Sequence, residues 1–340
     1  MLLTIGDPHI QESNLQDTRN LSEFLVTKLV NKGISYVVIM GDMFHTHAVI
    51  RQNVIHAANE FVKDMSKIGE VYYITGNHDN ADPRGGELNA ANLTLKGAII
   101  SNHEGHVNIP GTNYYLIGFR KNEDFVSEVQ KIASLNPNAI IMGHQTLQGA
   151  VYESGMEAHG AIEMNLLPQV KQIHGHVHKR QTVSSGMVVY PGTPRSLSFS
   201  DKNEIKGVSI FDINGNEKEF ISTNEATKCY YEIDLDESQT TGIFKPNKLW
   251  KAGDNVKINI SGTKDSIDKF KEVNKFLFAG NFGRIQVVPH IKKINNKNSL
   301  AQKRTNSMED LFYVYVKEVY NMDNDMRELV LKEMQGKVIT

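Results

Sequence analysis

The sequence QIHGHVHKR, residues 172–180, places three histidines within five positions. They are His174, His176 and His178, and alternate residues of a strand share one face whatever their purpose. The triplet therefore fits either a set of metal ligands or the polar edge of a strand. The rest of the chain decides between these interpretations, because similar residues follow other predicted strands.

The composition is that of an ordinary globular protein. The chain has 340 residues, of which 40% are hydrophobic and 22% are charged, and this length allows two domains. The formal net charge of −2 excludes a polycation that binds nucleic acid by bulk charge. A contact with DNA would need a local basic surface, a metal ion or a partner.

The sequence indicates a reducing compartment and no membrane span. Cys229 is the single cysteine, so an internal disulfide is excluded. The N-terminal MLLTIGDPHI lacks the basic region and apolar run of a signal peptide. No stretch approaches eighteen apolar residues. We therefore expect a cytoplasmic location.

The first half of the chain alternates short apolar runs with helical patterns. Residues 2–5, 36–40, 71–75 and 139–142 have the pattern of buried strands. Amphipathic helical patterns separate the first three of these runs. The alternation predicts an α/β fold with a largely parallel central sheet.

The second half divides into smaller units. Short strands continue from about residue 170 to residue 225, which completes a predicted first domain, 1–225. Residues 226–291 combine strands and a helix in a small α+β domain. Residues 292–304 are polar, basic and aperiodic, as is typical of a linker. Residues 305–340 carry an apolar helical stripe that consists of Met308, Leu311, Phe312, Tyr315 and Val319.

Polar residues follow each predicted strand of the first domain, and the carboxyl ends of strands are where open α/β sheets build their sites. The side chains are carboxylates, amides and imidazoles, without a thiolate. This mixture suits manganese, iron or zinc better than magnesium. The candidate metal ligands are Asp7, His9, Asp42, Asn77, His144, His176 and His178.

Seven candidate ligands are too many for one ion of four to six ligands. Two ions that share a carboxylate would use all seven, and a pair about 3.5–4 Å apart is the usual arrangement for phosphoester hydrolysis. Glycines precede four of the candidates and fit sharp turns that bring the side chains inward.

The ordered motifs D-x-H, G-D-x-x-H, G-N-H-D, G-H and G-H-x-H resemble those of the calcineurin-like metallophosphoesterases. Within that family they resemble the SbcD-type nuclease subunits of SbcC–SbcD DNA-repair complexes and their tailed-phage relatives. GDMFH at 41–45 favours this branch, because protein phosphatases have G-D-x-V-D-R-G there. YPGTPRSLSFSD at 190–201 also resembles the SbcD-type sequence. The motifs cover residues 7–201, and the later units match only in order and size.

The resemblance implies a core of two packed sheets flanked by helices, followed by a capping domain and C-terminal helices. It also implies two Mn²⁺ ions, or Mg²⁺ or another divalent ion in their place, with Asp42 as the bridge. One ion would be held by Asp7, His9 and His178. The other would be held by Asn77, His144 and His176.

Three further residues acquire roles from the resemblance. His78 matches a histidine that protonates or stabilises the leaving oxygen, and His45 matches one that positions the substrate. Asp79 would orient His78, as carboxylates commonly do for working imidazoles. His174 matches no ligand position and is expected to be a buried or edge histidine. Six other histidines, His47 among them, lack motif support and are assigned to surface or packing roles.

The implied function is a Mn²⁺-dependent DNA exonuclease and endonuclease subunit acting in DNA end processing, recombination or repair. Its partners would be DNA and an SbcC-like coiled-coil ATPase, in a heterotetramer that contains a homodimer of this chain. The setting would be the cytoplasm of a bacterium or a phage-infected host. The capping domain, 226–291, would contact DNA.

Two other functions fit the sequence less well. A stand-alone phosphodiesterase or phosphatase, acting on a small ester or a phosphoprotein, would not need GDMFH, the second domain or the amphipathic C-terminus. A non-catalytic scaffold is disfavoured because every ligand position is filled. Arg195 fits either a DNA phosphate contact or a brace for its own loop. The basic arm 292–304 fits either a linker or a DNA backbone contact.

The C-terminal stripe leads to the first prediction. In SbcD-type proteins this region docks the base of the ATPase coiled coil, and short amphipathic helices gain stability by burying their apolar face. Removing residues 305–340 should preserve metal binding and Mn²⁺-dependent cleavage of DNA ends but abolish co-purification with the ATPase. The full-length chain is the control. A truncated chain that unfolds, or that still binds the ATPase fully, contradicts the docking assignment.

Overall fold

The computed structural model describes residues 1–47, 49–82, 88–245, 250–278 and 284–291. The helices are α1 (Leu15–Leu29), α2 (Gln52–Met65), α3 (Ala90–Thr94), α4 (Asn122–Leu135) and α5 (Lys264–Val273). The strands are β1 (Leu2–Ile5), β2 (Tyr36–Ile39), β3 (Glu70–Ile74), β4 (Ile99–Ser101), β5 (His106–Asn108), β6 (Tyr114–Ile117), β7 (Ile140–Gly143), β8 (Lys171–His174), β9 (Gln181–Val183), β10 (Val188–Tyr190), β11 (Gly207–Phe211), β12 (Glu217–Ser222), β13 (Tyr230–Asp236), β14 (Asn255–Gly262) and β15 (Arg284–Ile291). The predicted linker and the C-terminal helices, 292–340, lie outside these residues.

Two six-stranded sheets form the core. The first has the order β12-β11-β1-β2-β3-β4, and the second has the order β5-β6-β7-β8-β10-β9. Strands β1 to β4 pair in parallel, as do β6, β7, β8 and β10. Antiparallel strands complete both sheets at their edges. The parallel direction places the carboxyl ends of the central strands at one edge of each sheet.

The two sheets pack face to face. Val38 and Tyr72 of the first sheet lie in one buried cluster with Leu116, Met142 and Ile173 of the second. Burying one large apolar side chain of this kind contributes about 1.5–3 kcal/mol. This packing confirms a core of two sheets.

The strand–helix alternation predicted a largely parallel central sheet, which the first sheet confirms, but it did not show how the strands divide between two sheets. The predicted strand at 139–142 forms β7 of the second sheet, whereas the three earlier ones form β1, β2 and β3 of the first. Strands β4, β5 and β6 intervene in the chain. Hydrophobic periodicity reports burial, and it does not distinguish two stacked sheets from one.

Helices cover the outer faces of both sheets, as their amphipathic patterns predict. Leu25 of α1 and Phe61 of α2 are buried with Val37 of β2. On the second sheet, Val129 of α4 is buried with Ile141 of β7. The core is therefore a four-layer arrangement of helices, sheet, sheet and helix.

A third sheet follows in the segment predicted to be α+β. Strands β13, β14 and β15 are all parallel, and α5 lies between β14 and β15 in the chain. Val256, Ile258 and Ile260 alternate with partly exposed residues along β14. They form a separate apolar cluster with Ile267 and Phe270 of α5. The secondary structure expected for 226–291 is thus present, and the division into two domains stays a prediction.

Arg195 braces its own loop, which was one of its two possible roles. Its side chain is 1% exposed. Its guanidinium donates a hydrogen bond of 2.9 Å to Thr18 Oγ1 and lies 3.8 Å from Asp17 Oδ2 on α1. If Arg195 moved away from this position, the buried carboxylate of Asp17 would lose its positively charged partner, which is energetically costly. A phosphate contact by Arg195 is therefore not compatible with this packing.

No helix in the described part of the chain combines the length and the apolar character that crossing a membrane requires.

Candidate metal centre

The polar residues after five core strands converge on one place. Strands β1, β2 and β3 of the first sheet and β7 and β8 of the second end there. Each of the seven predicted ligands has a polar side-chain atom within 3.5 Å of one belonging to another member of the set. They are Asp7, His9, Asp42, Asn77, His144, His176 and His178.

One group of donors contains His9 and His178. Their Nε2 atoms face each other at 3.0 Å. His178 Nε2 also lies 3.9 Å from Asp7 Oδ2, and His9 Nε2 lies 3.6 Å from Asp42 Oδ2. Two imidazoles and two carboxylates therefore direct their donor atoms at a shared space.

The second group contains Asn77, His144 and His176. Asn77 Oδ1 lies 2.8 Å from His176 Nδ1 and 3.1 Å from His144 Nε2. His144 Nε2 lies 3.4 Å from Asp42 Oδ2. That same carboxylate oxygen faces His9 in the first group. Asp42 therefore stands between the two groups.

Three of these residues have unusual backbone conformations. The φ angles of His9, Asp42 and His176 are 44°, 49° and 76°. A residue with a β-carbon pays of order 1–3 kcal/mol for such a conformation, and such residues cluster at functional sites. Hydrogen bonds of the ligands themselves help to hold it, including one of 3.0 Å from the His176 amide to Asp7 Oδ2.

Glycines precede several ligands because the backbone approaches other ligands too closely for a side chain. A β-carbon at Gly41 would lie 2.3 Å from His144 Nδ1, and one at Gly76 would lie 2.1 Å from Asp42 Oδ1. Gly41 has a positive φ of 109°, whereas no positive φ is found at Gly76. The sequence correctly indicated tight geometry, and the reason at Gly76 is close packing rather than a left-handed turn.

Burial and neighbouring carboxylates shift the pKa values of the site's imidazoles in opposite directions. Burial lowers the pKa of His176 to about 3 and that of His178 to about 4. Both imidazoles are therefore neutral near pH 7, and their lone pairs can bind a cation. Burial opposes protonation of His144 as well, but the carboxylates of Asp42 and Asp7 raise its pKa to about 9.

The donor set fits divalent cations. Burial would raise the pKa of Asp42, yet the neighbouring His144 and His9 hold it well below its usual value, so this carboxyl is ionised. Among the described residues, Asp7 Oδ1 is buried without a hydrogen-bond partner. A buried carboxylate oxygen without a partner is costly unless a cation or another donor satisfies it.

His78 and His45 lie beside the first group of donors. The ring centroid of His78 is 4.9 Å from that of His9, and the ring centroid of His45 is 5.4 Å from it. The amide of His78 donates a 2.8 Å hydrogen bond to Asp42 Oδ1. His78 Nδ1 lies 2.8 Å from the carbonyl oxygen of His45, and an oxygen acceptor there requires a proton on Nδ1. Nε2 is then the nitrogen that can exchange a proton with a substrate.

The prediction that Asp79 orients the His78 imidazole is wrong, because the Asp79 carboxylate has other partners. Asp79 Oδ2 instead accepts hydrogen bonds from the amides of Asp42 at 3.1 Å and Gly76 at 2.7 Å, and from the hydroxyl of Tyr73. Asp79 thus fixes the loop that carries Asp42. The backbone carbonyl of His45, rather than the predicted carboxylate, is the partner of His78 Nδ1.

His174 lies apart from the donors, as the sequence predicted. Its side chain is fully buried, and its Nε2 is 3.1 Å from Gln172 Oε1. The rings of Phe125 and Tyr190 lie next to it. Burial lowers its pKa to about 3. His174 is therefore a core residue.

Sequence reasoning missed three residues next to the site. His47 stacks on His78 with ring centroids 4.2 Å apart, and Phe119 stacks on His176 at 6.2 Å. Glu153 Oε1 lies 4.0 Å from His178 Nδ1. Of these three, only Phe119 could have been found from the sequence, because it follows Gly118 directly after the carboxyl end of β6. His47 and Glu153 lie in loops and do not directly follow a predicted strand.

Two packed sheets whose strand ends gather carboxylates, an amide and imidazoles define a metal-dependent phosphoester hydrolase. Residues 2–180, more than half of the chain, match the family described as calcineurin-like phosphoesterase, and the chain belongs to this family. Members of the family use divalent metal ions.

Curated relatives agree with this membership. Exonuclease subunit 1 of Enterobacteria phage T4 is 24% identical over 309 residues, which cover 88% of this chain and 86% of the phage protein. A putative phosphoesterase of Invertebrate iridescent virus 6 is 25% identical over 60% of this chain and 73% of its own length. Another, of Invertebrate iridescent virus 3, is 22% identical over 60% of both chains.

The central position of Asp42 leads to a prediction about metal content. In a site that holds two divalent ions, Asp42→Asn should weaken the binding of both, because it deletes the negative charge that faces both donor groups. His9→Ala should chiefly remove one ion, because His9 belongs to one group. Metal content after dialysis against Mn²⁺, measured by mass spectrometry, distinguishes these outcomes.

His56→Ala is the matched control, because His56 is an exposed histidine of α2 and its loss should leave the metal content unchanged. Equal loss of a single ion in Asp42→Asn and His9→Ala would contradict the bridging position of Asp42.

Proposed function

We propose that this chain is a Mn²⁺-dependent DNA nuclease subunit that hydrolyses phosphodiester bonds with two metal ions. The observation that carries the proposal is the position of Asp42 Oδ2, which lies 3.6 Å from His9 Nε2 and 3.4 Å from His144 Nε2. One carboxylate oxygen facing two donor groups is what a pair of ions with a shared ligand requires.

The family resemblance supports a division of the ligands between the two ions. Asp7, His9 and His178 would hold the first ion. Asn77, His144 and His176 would hold the second. Asp42 would be shared by both. Mn²⁺ is favoured because the set mixes carboxylate, amide and imidazole donors.

Divalent ions held by these residues would supply Lewis-acid polarisation of the phosphate ester and activation of a water molecule. The chain's own contribution is to hold the reacting groups and to move a proton. His78 would give a proton from Nε2 to the leaving oxygen, since the His45 carbonyl engages its Nδ1. The hydrogen bond from the His78 amide to Asp42 Oδ1 keeps this imidazole beside the ions. His45 would position the substrate, and Asp79 would act through the Asp42 loop.

The extent of the similarity favours DNA over a small ester. The alignment with the T4 exonuclease subunit spans 309 residues, so it must extend beyond the 225 residues predicted for the first domain. The similarity to the two viral phosphoesterases covers 60% of the chain. The small third sheet, β13 to β15, would contact DNA as a cap over the site.

We also propose that the chain acts with an SbcC-like ATPase, as a homodimer within a heterotetramer in the cytoplasm. The T4 relative is named as a subunit, which supports a multi-chain assembly. The single cysteine, Cys229, is buried and free, in keeping with a reducing compartment. Truncation at residue 304 tests the partner separately from the chemistry.

The test of the proposal compares substrates. The purified chain is incubated with linear duplex DNA and Mn²⁺, with and without the ATPase, beside a generic phosphodiester. We expect Mn²⁺-dependent cleavage of DNA that the ATPase stimulates. Hydrolysis of the generic ester with no cleavage of DNA under either condition would instead support the stand-alone phosphodiesterase.

His78→Ala separates proton transfer from metal binding in the same assay. It should lower the rate of DNA hydrolysis by roughly 10²–10⁴-fold, the range for a general acid, while both ions and the DNA affinity are retained. His159→Ala is the control, because His159 is exposed. Loss of metal together with activity would make His78 a ligand and contradict its role.

A further inference from the structure

The two nitrogens of His178 face different surroundings. Nε2 points into the candidate metal centre, where it lies 3.0 Å from His9 Nε2 and 3.9 Å from Asp7 Oδ2. Nδ1 points away from the centre toward Glu153, whose Oε1 is 4.0 Å distant. A ligand imidazole has this arrangement when a second group sets which nitrogen carries the proton.

For His144, the structure shows the group that sets which ring nitrogen carries the proton. His144 Nδ1 lies 2.7 Å from the carbonyl oxygen of Met40, which requires a proton on Nδ1. Nε2, the nitrogen that a metal ion would engage by displacing its proton, then faces Asn77 and Asp42. An oxygen acceptor at His178 Nδ1 would present the Nε2 lone pair of that imidazole in the same way.

The loop that carries Glu153 is anchored at Val151, and the Glu153 oxygen nearest to His178 is uncommitted among the described groups. Among the residues that the structure describes, Glu153 Oε1 is buried and has no hydrogen-bond partner. Its loop is anchored to β9, since Gln181 Oε1 accepts from the amide of Val151 at 2.9 Å and Gln181 Nε2 donates to its carbonyl at 2.7 Å. Gln181 follows His178 by three residues, so loop and imidazole share one support.

Asp201 also lies near His178 but is committed elsewhere. Its Oδ1 pairs with the buried Lys206 Nζ at 2.7 Å, and its Oδ2 accepts from the amides of Leu197 and Ser198. Lys206 Nζ also donates to the carbonyl of His178 at 3.0 Å. The lysine ammonium therefore supplies the positive charge in this cluster, and it fixes the His178 backbone rather than leaving room for another cation.

We propose that Glu153 is a positioning residue that accepts the Nδ1 proton of His178 and so directs the Nε2 lone pair into the metal centre. The proposal rests on the proposed function only in taking His178 as a ligand. The distance of 4.0 Å exceeds a hydrogen bond, so the contact requires a small rotation of the Glu153 side chain. No described group competes for Oε1, and the motifs around the ligands do not include Glu153.

Calorimetric titration of the full chain with Mn²⁺ measures the effect on metal binding. Loss of an outer partner of this kind weakens metal affinity by about 10–100-fold, so Glu153→Ala should weaken at least one Mn²⁺ site by that factor. Glu153→Gln retains an oxygen acceptor without its charge, and it should lose less. Glu157→Gln is the matched control, because Glu157 is an exposed residue of the same loop. Unchanged Mn²⁺ affinity in Glu153→Ala would overturn the proposal.

Nitrogen-15 NMR of the metal-free protein provides a readout that a merely structural role would not move. We expect the His178 imidazole to carry its proton on Nδ1 in the wild-type chain and to shift toward the other tautomer in Glu153→Ala. A proton on Nε2 in the wild-type chain overturns the proposal, even where the alanine variant fails to fold. A chain that binds Mn²⁺ with these properties but leaves DNA intact would contradict the nuclease function alone.

Discussion

The carboxylate of Asp42 is the constraint on which the rest of the site depends. It lies between two groups of imidazole, amide and carboxylate donors. Asp42 keeps this position although its backbone is strained, with a φ of 49°. Asp79 holds the Asp42 amide, the His78 amide binds Oδ1, and Gly76 leaves room for that oxygen. These contacts fix one negative charge between the two donor groups.

The two-sheet core explains how residues so distant in sequence meet. Asp42 follows a strand of the first sheet, and His144 follows a strand of the second. Because the central strands of each sheet are parallel, their carboxyl ends form a common edge. The apolar cluster between the sheets, which includes Val38 and Met142, brings the two edges together. Burial then keeps His176 and His178 neutral, which leaves their lone pairs available to metal.

The sequence predicted much of this site because polar residues after a buried strand have few alternative locations. The G-H-x-H motif identifies His176 and His178, but not His174, as candidate ligands. The buried position of His174 agrees with this distinction. Contacts that depend on side-chain direction were not predictable. Asp79 is adjacent to His78 in sequence but faces the Asp42 loop, and Glu153 reaches His178 through a loop without a pattern. Periodicity also could not show that β7 belongs to a second sheet.

The proposed function requires two divalent ions that share Asp42. Anomalous diffraction from crystals grown with Mn²⁺ would locate both, because each ion gives its own peak. We expect two peaks about 3.5–4 Å apart, one beside His9 and His178 and the other beside His144 and His176, with Asp42 between them. A single peak, or a pair in which Asp42 contacts only one ion, would contradict it.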